Sequence, residues 1–461
     1  MNYFNDDTIA ALSTAAGKSA IAVIRLSGSD AHFIVNKLFS SKTSSDKQIK
    51  HGWLMDKDKK VDEVLCAFFN SPNTYTGENL VEVSVHGNPV IINEVLNLLY
   101  KNGARRANPG EFTYRAFING KMDLAKAESV CDLIVSKTET AARAALNNVS
   151  GEFSNKIKSI VSDLTSLLAF VEVSLDHPEE DIMFLSREEK ARRLAALIEK
   201  TKKLIDTYKI SQTLQKGLKA AIVGKPNAGK SSLLNAILGK NRAIVTEIAG
   251  TTTDTIEEFI DCRGVPLTII DTAGIRNHSE NAIEKLGQEK TKETLANADI
   301  VLWILDGSKP FDKNDEAIAN LLKETALDIP IIIVVNKADL KSEIKNLAFD
   351  LAVNSTLHSS LFTLSSKTGA GIPELLDAIA KTAGLSENQD ELFVVNSRHF
   401  AHLSAAFEAL KKAAAAYAQS NEDEIAAFET RQALENFNAI LGIDTNPDIL
   451  DTIFSQFCIG K

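Results

Sequence analysis

Leu218-Lys-Ala-Ala-Ile-Val-Gly-Lys-Pro-Asn-Ala-Gly-Lys-Ser-Ser232 is the stretch from which the remaining residues are read. Its apolar, partly β-branched start, Leu218 to Val223, predicts a buried strand, and Ser232 to Leu238 reads as a helix. Between them stands G-x-x-x-x-G-K-S, formed by Gly224, Gly229, Lys230 and Ser231. Glycines let the backbone curl so that its N–H groups converge on an anion, and the following helix N-terminus adds partial positive charge. Lys230 can then reach the β- and γ-phosphates, and the Ser231 hydroxyl can ligate Mg²⁺. Asn227, Ala228, Gly229, Lys230, Ser231 and Ser232 are the nucleotide-binding residues expected here. A glycine-rich turn that binds nothing is the competing explanation, and the strand and helix flanks weigh against it.

Three further segments follow in the order a GTPase requires. Val265 to Gly274 is a strand ending in D-x-x-G, Asp271-Thr272-Ala273-Gly274. Asp271 would hold Mg²⁺ through water, and the Gly274 N–H could sense the γ-phosphate. Ile331 to Asp339 is a buried strand ending in Asn336-Lys337-Ala338-Asp339. The Asp339 carboxylate can accept two hydrogen bonds from guanine, from N1–H and the exocyclic amine, a donor pair that adenine lacks. Ser365-Ser366-Lys367 fits the loop whose backbone reads guanine O6. Thr246-Glu247-Ile248-Ala249-Gly250-Thr251-Thr252 is the candidate mobile loop, with hydroxyls for Mg²⁺ and Gly250 as a bend. After D-x-x-G, many GTPases place a glutamine that orients the attacking water. Here the residue is Ile275, which cannot do so, so transition-state stabilisation must come from elsewhere. Arg276, Glu280, Glu284 or a bound cation are the candidates, with Asn227 a neutral oxygen donor placed to ligate that cation.

The 461 residues predict roughly two to four domains. A composition of 44% hydrophobic and 24% charged residues is that of an ordinary globular protein. No apolar run approaches the ~20 residues of a membrane span, and the first residues have no basic export signal, so a cytoplasmic protein is expected. Cys66, Cys131, Cys262 and Cys458 form no C-x-x-C pair, which argues against a zinc site and a disulfide framework. A net charge of −10 counts against a generally sticky nucleic-acid binder, though not against a local basic face.

Residues 1–120 mix strands (Ala20 to Leu26, Val61 to Phe69, Leu80 to Val85) with helices (Asp30 to Phe39, Pro89 to Tyr100), an α+β pattern. Gly17-Lys18-Ser19 imitates the end of a phosphate loop, but the first glycine of that motif would fall on Leu12. From Met122 to Leu214 the sequence is helical, broken at the acidic cluster around Pro178, and helix returns from Asn396 to Leu441. An α/β block from Gln215 to Leu385 separates the two helical segments. The expected fold is therefore multidomain: a P-loop GTPase domain at 215–385, inserted into a helical domain of residues 121–214 plus 386–461 and preceded by an α+β domain at 1–120.

Taken together, these residues resemble the MnmE (TrmE) family of tRNA-modifying GTPases over essentially the whole chain. Besides the GTPase motifs, the resemblance rests on Ile24-Arg-Leu-Ser-Gly28, Tyr75-Thr-Gly-Glu78, His86-Gly87 and Asn108 to Phe117. Lys121-Met-Asp-Leu-Ala-Lys-Ala-Glu128 and the terminal Phe457-Cys-Ile-Gly-Lys461 complete it. It implies a folate-binding N-terminal domain through which the chain forms a homodimer. It implies an FAD-bearing partner, MnmG (GidA), and a carboxymethylaminomethyl-type group installed at C5 of the wobble uridine of certain tRNAs. A 5-formyl- or methylene-tetrahydrofolate would supply the one-carbon unit. By position, K⁺ would be held by Asn227, Thr246, Ile248 and Thr251, and Mg²⁺ by Ser231 and Thr252. Glu284, which would help position the attacking water, and Lys230 would be the catalytic residues. Folate contacts would fall on Arg25, Glu82, Lys121 and Lys461. The loop departs from many relatives, which have arginine where Thr253 stands. The rival reading, a ribosome-assembly GTPase, predicts an RNA-binding module beside the nucleotide domain, where this sequence has helices and an α+β segment.

Overall fold

The computed structural model describes residues 7–41, 48–176, 186–241, 259–270, 294–325, 329–340, 359–384, 392–418, 423–443 and 445–461. The N-terminal sheet contains β1 (Ile9–Leu12), β2 (Ile21–Ser27), β3 (Gln48–Asp56), β4 (Lys59–Phe69), β5 (Leu80–His86) and β6 (Arg105–Arg106), in the order β3-β4-β5-β2-β1-β6. All pairs are antiparallel except β1 with β6. Strand alternation sends Ala22, Ile24 and Leu26 of β2 and Val81, Val83 and Val85 of β5 into a core under α1 (Ala31–Leu38) and α2 (Pro89–Lys101). The opposite face carries Arg25 beside Glu82, its register partner. β2, a strand rather than a helix, starts two residues after Ser19, so Gly17-Lys18-Ser19 lacks the architecture of a phosphate loop. A short helix, α3 (Glu111–Ile118), closes the segment.

Four helices follow: α4 (Leu124–Val135), α5 (Glu139–Ser150), α6 (Glu152–Asp176) and α7 (Arg187–Lys216). Side chains cap three of their N-termini, Asp123, Thr138 and Ser186 each accepting a backbone N–H three residues on. The second α/β sheet consists of β7 (Leu218–Val223), β8 (Phe259–Cys262), β9 (Val265–Ile270), β10 (Ile300–Asp306), β11 (Ile331–Asn336) and β12 (Ser359–Thr363). Their order is β12-β11-β10-β7-β9-β8, parallel except for β8 against β9. β10 and β11 are buried throughout because both faces are covered, as parallel strands require. On one face α8 (Lys230–Asn241) and α10 (Ile372–Thr382) bring Leu233, Ile237, Leu375 and Ile379 against Ile222, Leu302 and Val334. On the other, α9 (Lys313–Thr325) brings Ala319 and Leu322 against Val223, Trp303 and Ile333.

After the sheet come α11 (Ser397–Ala418), α12 (Asp423–Leu441) and α13 (Pro447–Ser455). Leu403, Leu410 and Phe437 from these helices share one core with Phe153, Ile157, Leu164, Leu194 and Leu197 from before the sheet. The helices on either side of the α/β block are one packed body, and the block is an insertion into it. Arg398 fastens the seam: it donates to Glu128 Oε1 at 2.9 Å and Oε2 at 2.6 Å, and to the carbonyls of Ala439 at 2.7 Å and Ile440 at 3.0 Å. Burial opposes ionisation of Glu128, but the neighbouring His399 and Arg398 overcome it and hold the carboxyl down to about 2. This stabilisation is present above the ordinary carboxylate range and is lost as pH falls through the folded value.

Arg398→Met would leave Glu128 buried without its guanidinium. We expect a loss of about 3–5 kcal/mol in urea denaturation followed by circular dichroism. A loss below about 1 kcal/mol, the worth of a surface pair, would show that the seam does not depend on this pair.

Candidate nucleotide site

The carboxyl ends of β7, β10, β11 and β12 lie along one edge of the parallel sheet, where open α/β folds bind ligands. β7 runs into the phosphate loop. Gly224 (φ +149°) and Gly229 (φ +99°) adopt backbone that side chains resist, and a Cβ on either would overlap the Ile304 carbonyl or Asn336 Nδ2. Asn227 is left-handed too (φ +62°) and its side chain is exposed. Lys230 Nζ spans the loop from within, donating to the carbonyls of Gly224 at 2.6 Å and Lys225 at 2.9 Å. Burial, by stripping water from this ammonium, lowers it from its usual range. Ser231 and Ser232 are exposed on the first turn of α8.

The end expected to hold the base is built on β11. Asn336 is 1% exposed, and its Nδ2 donates to the Ala228 carbonyl in the phosphate loop at 3.1 Å. Its Oδ1 accepts from Lys337 N at 2.8 Å, Ser366 N at 3.0 Å and Ser366 Oγ at 2.9 Å. One side chain therefore joins the phosphate loop, the strand end and the loop after β12. Asp339 is exposed, and Ser365 Oγ donates to its Oδ1 at 2.7 Å, which keeps the carboxyl below the usual range and charged. Ala338 N donates to the Leu364 carbonyl at 3.1 Å, locking the two base loops together. Lys367 is exposed beside them.

Sequence reading missed Asp306, the last residue of β10. It is 4% exposed; its Oδ2 accepts from Lys337 Nζ at 2.7 Å and its Oδ1 from Ser308 N at 3.1 Å and Ser308 Oγ at 2.6 Å. Burial alone would raise this carboxyl; the bonds from Lys337 and Ser308 hold it low instead. The clue was available: a lone carboxylate ending the apolar run Ile300 to Leu305. Thr246, Glu247, Ile248, Ala249, Gly250, Thr251, Thr252, Asp271, Thr272, Ala273, Gly274 and Glu284 lie outside the described residues.

A second cluster occupies the other face of the N-terminal sheet, beside a small core of Ile9, Ala11, Ala107 and Phe112. Arg25 donates to Glu82 Oε1 from Nε at 3.0 Å and Nη2 at 2.7 Å, and its guanidinium lies 5.2 Å from the Tyr75 ring centre. The chain end is threaded into this region: Phe112 N donates to the Lys461 carbonyl at 3.2 Å and Ser13 Oγ to the Gly460 carbonyl at 3.1 Å. Burial, and then the charge of Arg25, lower the Lys461 ammonium. Arg25, Glu82 and Lys461 are thus brought together. Lys121 instead donates to the Pro72 carbonyl at 2.9 Å.

The phosphate loop, its lysine and the asparagine clamp at the carboxyl ends of parallel strands have the architecture of a P-loop GTPase. The family model described as "MnmE helical domain" matches residues 124–458, and that described as "GTP-binding protein TrmE N-terminus" matches residues 8–121. The chain is 58% identical over 461 residues to "tRNA modification GTPase MnmE" of Endomicrobium trichonymphae, covering 100% of both chains. It is 40% identical over 466 residues to the protein of that name in Clostridioides difficile (strain 630), covering 99% of this chain and 100% of that one. The chain belongs to the MnmE family of tRNA modification GTPases.

Asp306→Asn removes the charge that holds Lys337. Charge-assisted hydrogen bonds contribute about 1.5–3 kcal/mol, so GDP affinity should fall roughly tenfold or more in calorimetric titration. An unchanged affinity would assign the pair to the fold alone.

Proposed function

We propose that this chain is a potassium-stimulated GTP hydrolase that acts in modification at C5 of the wobble uridine of certain tRNAs. The nucleotide chemistry is supported chiefly by the Asn336 side chain, which couples the loop that would cradle phosphate to the loops that would read the base, and the tRNA chemistry by membership of the family. In this reading Lys230 leaves the loop carbonyls for the β- and γ-phosphates. Asp339 pairs with guanine N1–H and the exocyclic amine, while the backbone of Ser365, Ser366 and Lys367 reads O6 and Lys337 covers the ring. Glu284 orients the attacking water, a task that Ile275 cannot perform.

Ser231, exposed at the start of α8, would hold Mg²⁺ together with Thr252, and the ion would neutralise phosphate charge. The exposed left-handed Asn227 suits a cation ligand at the loop rim; with Thr246, Ile248 and Thr251 it would hold K⁺, which would supply the positive charge an arginine finger gives elsewhere. The domain divisions 1–120, 121–214 plus 386–461, and 215–385 belong to the same proposal. So does a tetrahydrofolate derivative, 5-formyl or methylene, on the Arg25, Glu82 and Lys461 cluster, with Lys121 at its margin. Cationic groups suit its anionic tail, and the carboxylate suits pterin N–H donors. The N-terminal domain would form the homodimer, the FAD-bearing partner would be MnmG, and the setting would be the cytoplasm. Among the described residues no helix is long and apolar enough to cross a membrane.

Two measurements test the nucleotide chemistry. Replacing K⁺ by Na⁺ should slow hydrolysis by roughly 10³-fold or more if the cation does an arginine finger's work, and equal rates would refute the cation assignment. Asp339→Asn should move preference from GTP to xanthosine triphosphate, since the new amide offers a donor to the xanthine oxygen. Retained GTP selectivity would mean that another group reads the base. Mass spectrometry of tRNA wobble uridines from cells lacking the chain tests the substrate: a persisting C5 group would overturn it.

A further inference from the structure

Lys225, the second residue of the phosphate loop, has no part in the nucleotide motifs, yet its side chain is 12% exposed. Its Nζ lies 2.9 Å from Asp312 Oδ2 and 2.6 Å from Asp315 Oδ2, at the start of α9. These two carboxylates form a capping box. Asp312 Oδ1 accepts from Asn314 N at 2.8 Å and Asp315 N at 3.3 Å, and Asp315 Oδ2 accepts from Asp312 N at 3.2 Å. A capping box needs no lysine to satisfy its helix. Asp315, however, is 1% exposed, and its Oδ1 has no hydrogen-bond partner among the described residues. A carboxylate buried so deeply requires a counter-charge, and Lys225 provides it.

The main chain of the same residue shapes the loop. The Lys225 carbonyl accepts from Ala228 N at 3.3 Å, closing the turn that contains left-handed Asn227, and it accepts from Lys230 Nζ at 2.9 Å. Its side chain is therefore anchored outside the loop while its carbonyl sets the curvature inside. We infer that Lys225 is a positioning residue for GTP: the Lys225–Asp315 pair ties the outer limb of the phosphate loop to α9 and holds its N–H groups converged before nucleotide arrives. This inference rests on the GTPase reading and adds a residue that touches no nucleotide.

Preorganisation of this kind contributes to binding, because the untethered loop must be ordered by the ligand. Once GTP fills the loop, its phosphates hold the N–H groups in place, so the chemical step is spared. The test uses the full chain, titrated with a fluorescent N-methylanthraniloyl GDP and assayed for GTP hydrolysis. Lys225→Met, which keeps most of the stem, should raise Kd and KM about tenfold and leave kcat within about twofold. Lys225→Arg, still able to pair with both carboxylates, should return Kd to within about threefold of the parent. Unchanged Kd and KM in Lys225→Met would overturn the inference. So would a fall in kcat at constant KM, which would place Lys225 on the reacting phosphate. If the parent chain itself failed to bind the guanine nucleotide, the GTPase reading would fall and take the inference with it; parent binding with an indifferent Lys225→Met sinks only the inference.

Discussion

A nucleotide site on a parallel sheet has to bring together loops that leave different strands, and here a single buried amide does so. The Asn336 side chain makes one bond into the phosphate loop and three into the segments that follow β11 and β12. At 1% exposure it has no water to fall back on, so any displacement of these loops leaves buried polar atoms unpaired. The glycine requirement at position 229 follows from the same contact, since a Cβ there would collide with Asn336 Nδ2. The amide thus fixes the phosphate loop against the loops that follow β11 and β12.

The insertion also controls how the sheet sits on the helices. The β8–β9 turn presents the Gly264 carbonyl, which accepts from Thr138 Oγ1 at 2.7 Å at the corner between α4 and α5. Where α7 leads into β7, Gln215 Nε2 donates to Asp132 Oδ1 at 2.8 Å. Burial, then the charge of Glu128, push the Asp132 carboxyl up to about 7, and the Gln215 bond only moderates this. The helical body therefore grips the GTPase block at the β8–β9 turn and at the entry to β7.

Much of this was legible in the sequence because the informative residues stand next to one another along the chain. G-x-x-x-x-G-K-S and N-K-x-D each follow an apolar strand, so the sequence alone puts positions 224 and 336 at strand ends. The insertion was legible too, since two helical segments separated by an α/β block must find a partner for their apolar faces. β1, β3 and α3 were not read: β1 spans only Ile9–Leu12, β3 includes Lys50 and His51, and α3 begins after left-handed Gly110 with no side-chain cap. Asp306 and the Lys225–Asp315 pair were missed for a different reason. Their partners are 31 and 90 residues distant, and a lone charge gives no sign of where its counter-charge lies.

Calorimetric titration of Asn336→Ala with GDP, alongside its thermal unfolding, tests most directly whether this amide organises the site. Four bonds are lost at about 1 kcal/mol or more each, so affinity should fall at least about hundredfold. The sheet, sealed by its own apolar faces, should remain folded at the assay temperature. A folded variant that binds GDP within about threefold of the parent would contradict the account, because the loops would then be holding their positions without the amide.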